Sequence, residues 1–182
     1  MKSLLSPAVL AAALIAGPAF AQGLGPNSEG QPFDITADEL EVQNRACVSI
    51  WRGKAEALQG EARLRADVLR AYFQPKAGGT ATGTGACGDL IKIEAQGSVY
   101  YVSAKDQRVR GDAGTYDAAN ETVTLTGDVV AVQGQNVLRG TRMVFNTQTG
   151  EGRMVGSASG RNAAGRPRAV FYPSKKSEGA KR

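Results

Sequence analysis

The residues able to do chemistry in this chain are few, which narrows the function before any fold is considered. There is no histidine. Nucleophilic triads that use imidazole as base are therefore excluded, as are zinc sites built on imidazole. The two cysteines, Cys47 and Cys87, stand forty residues apart and make no metal site alone. In an oxidising compartment they are expected to close a disulfide loop, the alternative being two unpaired thiols. Loop entropy would make that bridge worth roughly 3–4 kcal/mol.

Three other patterns resemble chemistry and do not carry it. Gly83-Thr84-Gly85-Ala86-Cys87-Gly88 has the letters of a dinucleotide fingerprint. That motif needs a buried strand before it and a helix after it, and here a Gly/Thr loop precedes and an alternating segment follows. Asp38, Asp67 and Asp112 suggest an acid/base pair for glycoside hydrolysis, but they recur at equivalent places, where an aspartate bonds the backbone of its own turn. Tyr100, Tyr101 and Tyr116 lie in strand patterns away from the Arg/Lys cluster, so no stacking groove for nucleic acid is expected. No catalytic residue, metal or cofactor is assigned, and the chain is not expected to be an enzyme.

The elements that position these residues come from an internal repeat. An apolar-x-small-polar phrase begins at Ile35, Leu64, Val109 and Leu138, with steps of 29, 45 and 29 residues. Glycines placed at strand ends, Gly53, Gly97, Gly127 and Gly156, step by 44, 30 and 29. Both rulers are long in the same place, which marks residues 75–89 as an inserted Gly/Thr-rich loop. Within each repeat the period is two, as in Thr122 to Thr126 and in Leu90 to Ala95, where Ile91, Ile93 and Ala95 share a face. The phrase changes parity at its polar residue, so bulges or corners are expected at Asp38, Asp67, Asp112 and Thr141. The fold class is all-β: short antiparallel strands stacked as a solenoid or open jelly roll, without a conventional closed core.

The ends read as an address and a tail. Lys2 followed by the apolar run Leu4 to Ile15 and by Ala19-Phe20-Ala21 predicts a signal peptide over 1–21, cleaved after Ala21. The run is too short to span a bilayer, and no cysteine at the cleavage site offers a lipid anchor. Residues 22–32 read as a lead-in and 33–173 as one β domain. Residues 161–182 carry seven basic residues against Glu178, whereas residues 22–160 carry 14 basic and 16 acidic. The positive charge is thus concentrated at the C-terminus, with 174–182 read as a solvated basic tail.

The phrases Gln31-Pro32-Phe33-Asp34-Ile35-Thr36-Ala37-Asp38, Val123-x-Leu125-Thr126-Gly127-Asp128-Val129 and Phe171-Tyr172-Pro173-Ser174, in this order, resemble the OstA-like/LptA family of periplasmic lipopolysaccharide-transport bridge proteins. The resemblance implies a twisted, V-shaped open β-jelly roll of roughly sixteen short strands, with a groove that takes acyl chains. It implies pairing of first and last strands head-to-tail between copies, and with similar domains of the inner-membrane and outer-membrane transport complexes. It places Phe33, Ile35, Tyr100, Tyr116 and Ala118 on the lipid-contacting interior. Cys47, Cys87 and the insertion depart from the better-known members. The residues add Leu64, Leu69, Leu125, Leu138, Met143 and Phe145 to the groove, the alternative being ordinary packing between sheets. A scaffold β-solenoid with a packed interior and no lipid is the rival reading.

Overall fold

The computed structural model describes residues 31–76, 87–103, 107–160 and 165–173. The predicted signal peptide, most of the lead-in, the centre of the insertion and the 174–182 tail lie outside the described residues.

The described chain is all-β. Ten strands form one antiparallel sheet: β1 (Asp34–Thr36), β2 (Glu39–Gln43), β3 (Val48–Gln59), β4 (Ala62–Pro75), β5 (Cys87–Val102), β6 (Arg108–Asp117), β7 (Thr122–Gln133), β8 (Asn136–Asn146), β9 (Gly152–Val155) and β10 (Arg168–Val170). β3 to β8 pair in sequence order; β1 and β2 pair with the two halves of β3, and β9 and β10 with the two halves of β8. Neighbouring strands are joined by tight turns where the sequence permits. Gly60-Glu61 and Gly134-Gln135 are two-residue connections whose first residue has φ of 56° and 57°. A glycine at that position is what a type II′ hairpin turn requires.

The strands are longer than the repeat suggested, because each of β3 to β8 runs through a corner without breaking. Register shifts fall at the corner of each pair from β3–β4 to β7–β8. The two rulers of the sequence prove to be partners in one row. Asp38, Asp67, Asp112 and Thr141 stand beside Gly53, Gly97, Gly127 and the Val155-Gly156 step. A Cβ on Gly53, Gly97 or Gly127 would overlap the carboxylate of Asp38, Asp67 or Asp112 respectively. These glycines have φ of 82°, 74° and 101°, and no other residue combines that backbone with the missing side chain. The Asp38 amide donates to Gly53 O at 3.0 Å, the Asp128 amide to Asp112 Oδ2 at 3.3 Å, and the Thr141 hydroxyl to Val155 O at 3.3 Å.

The extra residue of each bulge sits on the glycine strand, which corrects the expectation of bulges at the aspartates. Opposite Asp67 on β4, β3 places both Gly53 and Lys54; β5 and β7 place Gly97-Ser98 and Gly127-Asp128 opposite Asp112 and Thr141. A one-residue corner flips which parity faces inward, whereas a two-residue corner preserves it. β4 therefore switches from Leu64 and Ala66 to Leu69 and Ala71. β5 keeps odd numbers, Ile93 and Ala95 then Val99 and Tyr101, among its buried side chains.

Candidate functional site: the interior between two walls

The corner row folds the sheet into two walls, and cross-strand rows of apolar side chains line both. On the first wall one row runs Ile35, Ala57, Leu64, Tyr101, Val109, Ala131, Leu138, Ala169, each opposite the next. On the second wall, Leu40, Trp51, Leu69, Ala95, Gly114, Leu125, Met143 and Met154 form a row. Beside it lie Val42, Ser49, Ala71, Ile93, Tyr116, Val123, Phe145 and Gly152. Such rows arise because directly opposite residues in an antiparallel pair share a face.

The walls meet. Leu64, Leu69, Tyr116, Ala118, Leu125, Met143 and Phe145 are buried in one cluster, with Phe33, Ile35 and Leu138 packed partly buried against it. Tyr101 of the first wall and Phe145 of the second place their ring centroids 5.6 Å apart. The space left beside Leu64, Tyr101, Tyr116 and Leu125 is about 10 Å³, room for about one water molecule. The expectation of a trough open along its length is therefore corrected: the centre is a close-packed core. The reason is physical, since two greasy walls left apart would both face water.

Ten of the eleven residues expected in the groove face this interior, and Tyr100 does not. It pairs with Arg65 and Arg110 on the outward face, half-buried, while its neighbour Tyr101 is 1% exposed and central. Ile91 is likewise outward, 43% exposed, because the β4–β5 register slips between Tyr72 and Phe73 and Leu90 takes the inward place. Val99, Val109 and Val129, not among the residues expected in the groove, are also buried. Val99 and Tyr101 follow from the two-residue corner at Gly97-Ser98, which only the strand pairing reveals.

At strand ends the interior opens into clefts. One of about 220 Å³ is lined by Val42, Cys47, Phe73 and Cys87. Cys47 and Cys87 are bridged there, tying the β2–β3 turn to the start of β5 across β4. The other, of about 230 Å³, has Tyr101 and Phe145 as its floor and Ser103, Gln107, Gln133 and Thr149 as its rim. Among the described residues, the interior is thus apolar at depth and uncharged but polar at this mouth.

Burial and local hydrogen bonds set its electrostatics. Burial first, then the Glu121 and Asp117 carboxylates, pushes the Tyr116 phenol up to about 12; burial and then Tyr116 push Tyr101 higher still. On the outward face, Lys92 donates to Glu94 at 2.7 Å, and Tyr72 donates to the same carboxylate at 2.7 Å. These bonds hold Glu94 below and Lys92 above their usual ranges. A raised lysine is the opposite of an activated nucleophile. Among the described residues no group of three His, Cys, Asp or Glu is placed to hold a metal ion.

This fold has counterparts. The crystal structure of LptH, the LptA homologous periplasmic component of the lipopolysaccharide transport device of Pseudomonas aeruginosa, superposes with a TM-score of 0.66. It does so over 81% of this chain and 100% of that one, at 21% identity. An uncharacterized protein of Rhizobium meliloti (strain 1021) is 31% identical over 157 residues, 82% of each chain. The profile of one family matches residues 34–151, from the first strand of the sheet to the turn before β9. The chain belongs to that family, the LptA/(LptD N-terminal domain) LPS transport proteins.

Proposed function

We propose that this chain is a periplasmic carrier that shields the acyl chains of lipopolysaccharide between its two walls and passes the lipid from inner to outer membrane. The observation that carries the reading is the pairing of near-continuous apolar rows, facing one another from the first strand of the sheet to the last. Burying one methylene is worth ~0.8 kcal/mol, so a dozen-carbon chain amounts to roughly 10 kcal/mol. A loaded carrier exchanges wall–wall contacts for wall–chain contacts, which are of the same kind. The lipid is thereby kept from water without being trapped, and the empty protein hides its own interior by closing. The corner row supplies the hinge, and the two end clefts are where separation would begin.

The sheet edges supply the partners. Leu40 and Val42 are exposed on the edge strand β2, and Val155 and Val170 on β9 and β10 at the other end. An uncovered edge is a template for another strand. Pairing first edge to last is heterologous, so it grows into a rod and does not close into a dimer. The same edges suit the similar β-jelly-roll domains of the inner-membrane and outer-membrane transport complexes. LptH is by its description a periplasmic component of such a device, and the predicted signal peptide accords with that compartment.

The closed centre favours one rival, a scaffold β-solenoid whose interior is simply packed. Photo-crosslinking decides between them. A crosslinker replacing Tyr116 or Leu125 should capture lipopolysaccharide in cells, and one replacing outward-facing Tyr100 should not. Equal capture at all three sites, or none inside, leaves the scaffold reading standing.

A further inference from the structure

The outward face of the first wall carries a charge pattern that neither shielding of acyl chains nor edge pairing requires. Two cross-strand rows place Arg65, Arg110, Arg139 and Arg168, and beside them Arg63 and Arg108, on that one face. The carboxylates on this face and along its corner include, among the described residues, Asp34, Glu56, Asp128 and, beside Tyr100 and Arg110, Asp112. Glu56 takes both Arg63 and Arg65, at 3.0 and 2.8 Å, and Asp128 takes Arg110 at 3.3 Å. Compensation therefore lies at the N-terminal end and along the corner. At the C-terminal end Arg139 and Arg168 stand directly opposite each other, with Val130 on the far side of Arg139. Like charges directly opposite in a sheet cost stability, so this pair opposes folding.

Apolar side chains accompany that end. Val170, Phe171 and Tyr172 are 38%, 67% and 58% exposed, immediately after Arg168. In sequence they lead into Lys175, Lys176, Lys181 and Arg182. We infer that this C-terminal part of the first wall's outward face docks on an anionic lipid surface. Arginines answer lipid phosphates, and their stems lie along the apolar layer beneath. Exposed aromatic side chains take the headgroup level, the place where such rings are enriched. An acidic protein would match the charges but would leave Phe171 and Tyr172 unexplained. Arg139, Arg168 and Val170 lie on the face opposite the interior, so the proposal does not depend on what the interior carries.

Co-sedimentation of the full chain with phosphatidylcholine vesicles, with and without phosphatidylglycerol, tests it; neither vesicle contains lipopolysaccharide. Retention is expected only on the phosphatidylglycerol vesicles, and to fall as salt rises. Each arginine near such a surface contributes about fivefold, so Arg139→Gln/Arg168→Gln should weaken retention roughly twenty- to thirtyfold. Phe171→Ser/Tyr172→Ser, which leaves every charge in place, should weaken it severalfold. Arg70→Gln/Arg142→Gln on the second wall should retain the wild-type level. Equal retention on uncharged vesicles, or no retention on charged ones, overturns the proposal. So does a loss as large in the second-wall variant as in Arg139→Gln/Arg168→Gln.

Discussion

At the scale of single residues, the corner glycines and the buried tyrosines carry the sharpest consequences. Gly97 combines a φ of 74° with an aspartate where its side chain would be. Gly97→Ala should cost about 1–3 kcal/mol in urea unfolding. Adding Asp67→Ala should recover the part due to overlap and leave the backbone part. The buried phenols set a pH limit. Burial pushes the Tyr116 phenol up to about 12 in the folded chain, from its ordinary value of 10.0 in the unfolded one. The unfolded chain therefore loses its proton first as pH rises. Stability is complete below pH 10 and falls between 10 and 12, by on the order of 2–3 kcal/mol for this residue alone. A phenolate absorbance titration should show Tyr101 and Tyr116 ionising last, together with unfolding. A titration in which all five tyrosines ionise together near 10, with the fold intact, would contradict the burial.

At the scale of elements, the repeat, the all-β class and the parity switches at Asp38, Asp67, Asp112 and Thr141 were legible in the sequence. Each is a local pattern: alternation, a recurring polar residue, a fixed step. What was not legible is which side of a corner takes the extra residue, because that depends on pairing between strands. The resemblance implies an inward Tyr100, and the pairing between strands corrects it. Gly97-Ser98 takes up two residues at the corner, so the inward parity of Ile93 and Ala95 continues to Tyr101. Ile91 was misplaced for a similar reason, a slip near the β4–β5 loop that no single strand reveals. The expected strand number reconciles with the observed one once corners are counted. Six long strands each bent in two, with four short ones, give sixteen half-strands. The Cys47–Cys87 bridge spans 40 residues and fastens the β2–β3 turn to β5. Reduction should lower stability by roughly 3–4 kcal/mol, read as a drop in the urea midpoint on adding dithiothreitol. Edge pairing belongs to this scale too. Leu40→Lys/Val42→Lys should shorten rods to monomers in light scattering, since a charged edge resists strand addition; unchanged rods would place the joint elsewhere.

At the scale of the whole molecule, the open groove expected from the repeat gives way to two apolar walls in contact. The sequence shows that both faces are greasy but not how far apart they stand, since that distance follows from what fills the space between. On the proposed function, this core parts to carry lipid, with the Asp/Gly row as the line along which it bends. Gln133 and Thr149 sit on opposite lips of the polar mouth, both exposed. Spin labels at these two positions, on the otherwise native disulfide-bonded protein, report the width of that mouth by pulsed electron resonance. The distance should lengthen when lipopolysaccharide is added and return when it is removed. Lipopolysaccharide bound with the lip-to-lip distance unchanged would contradict carriage between the walls.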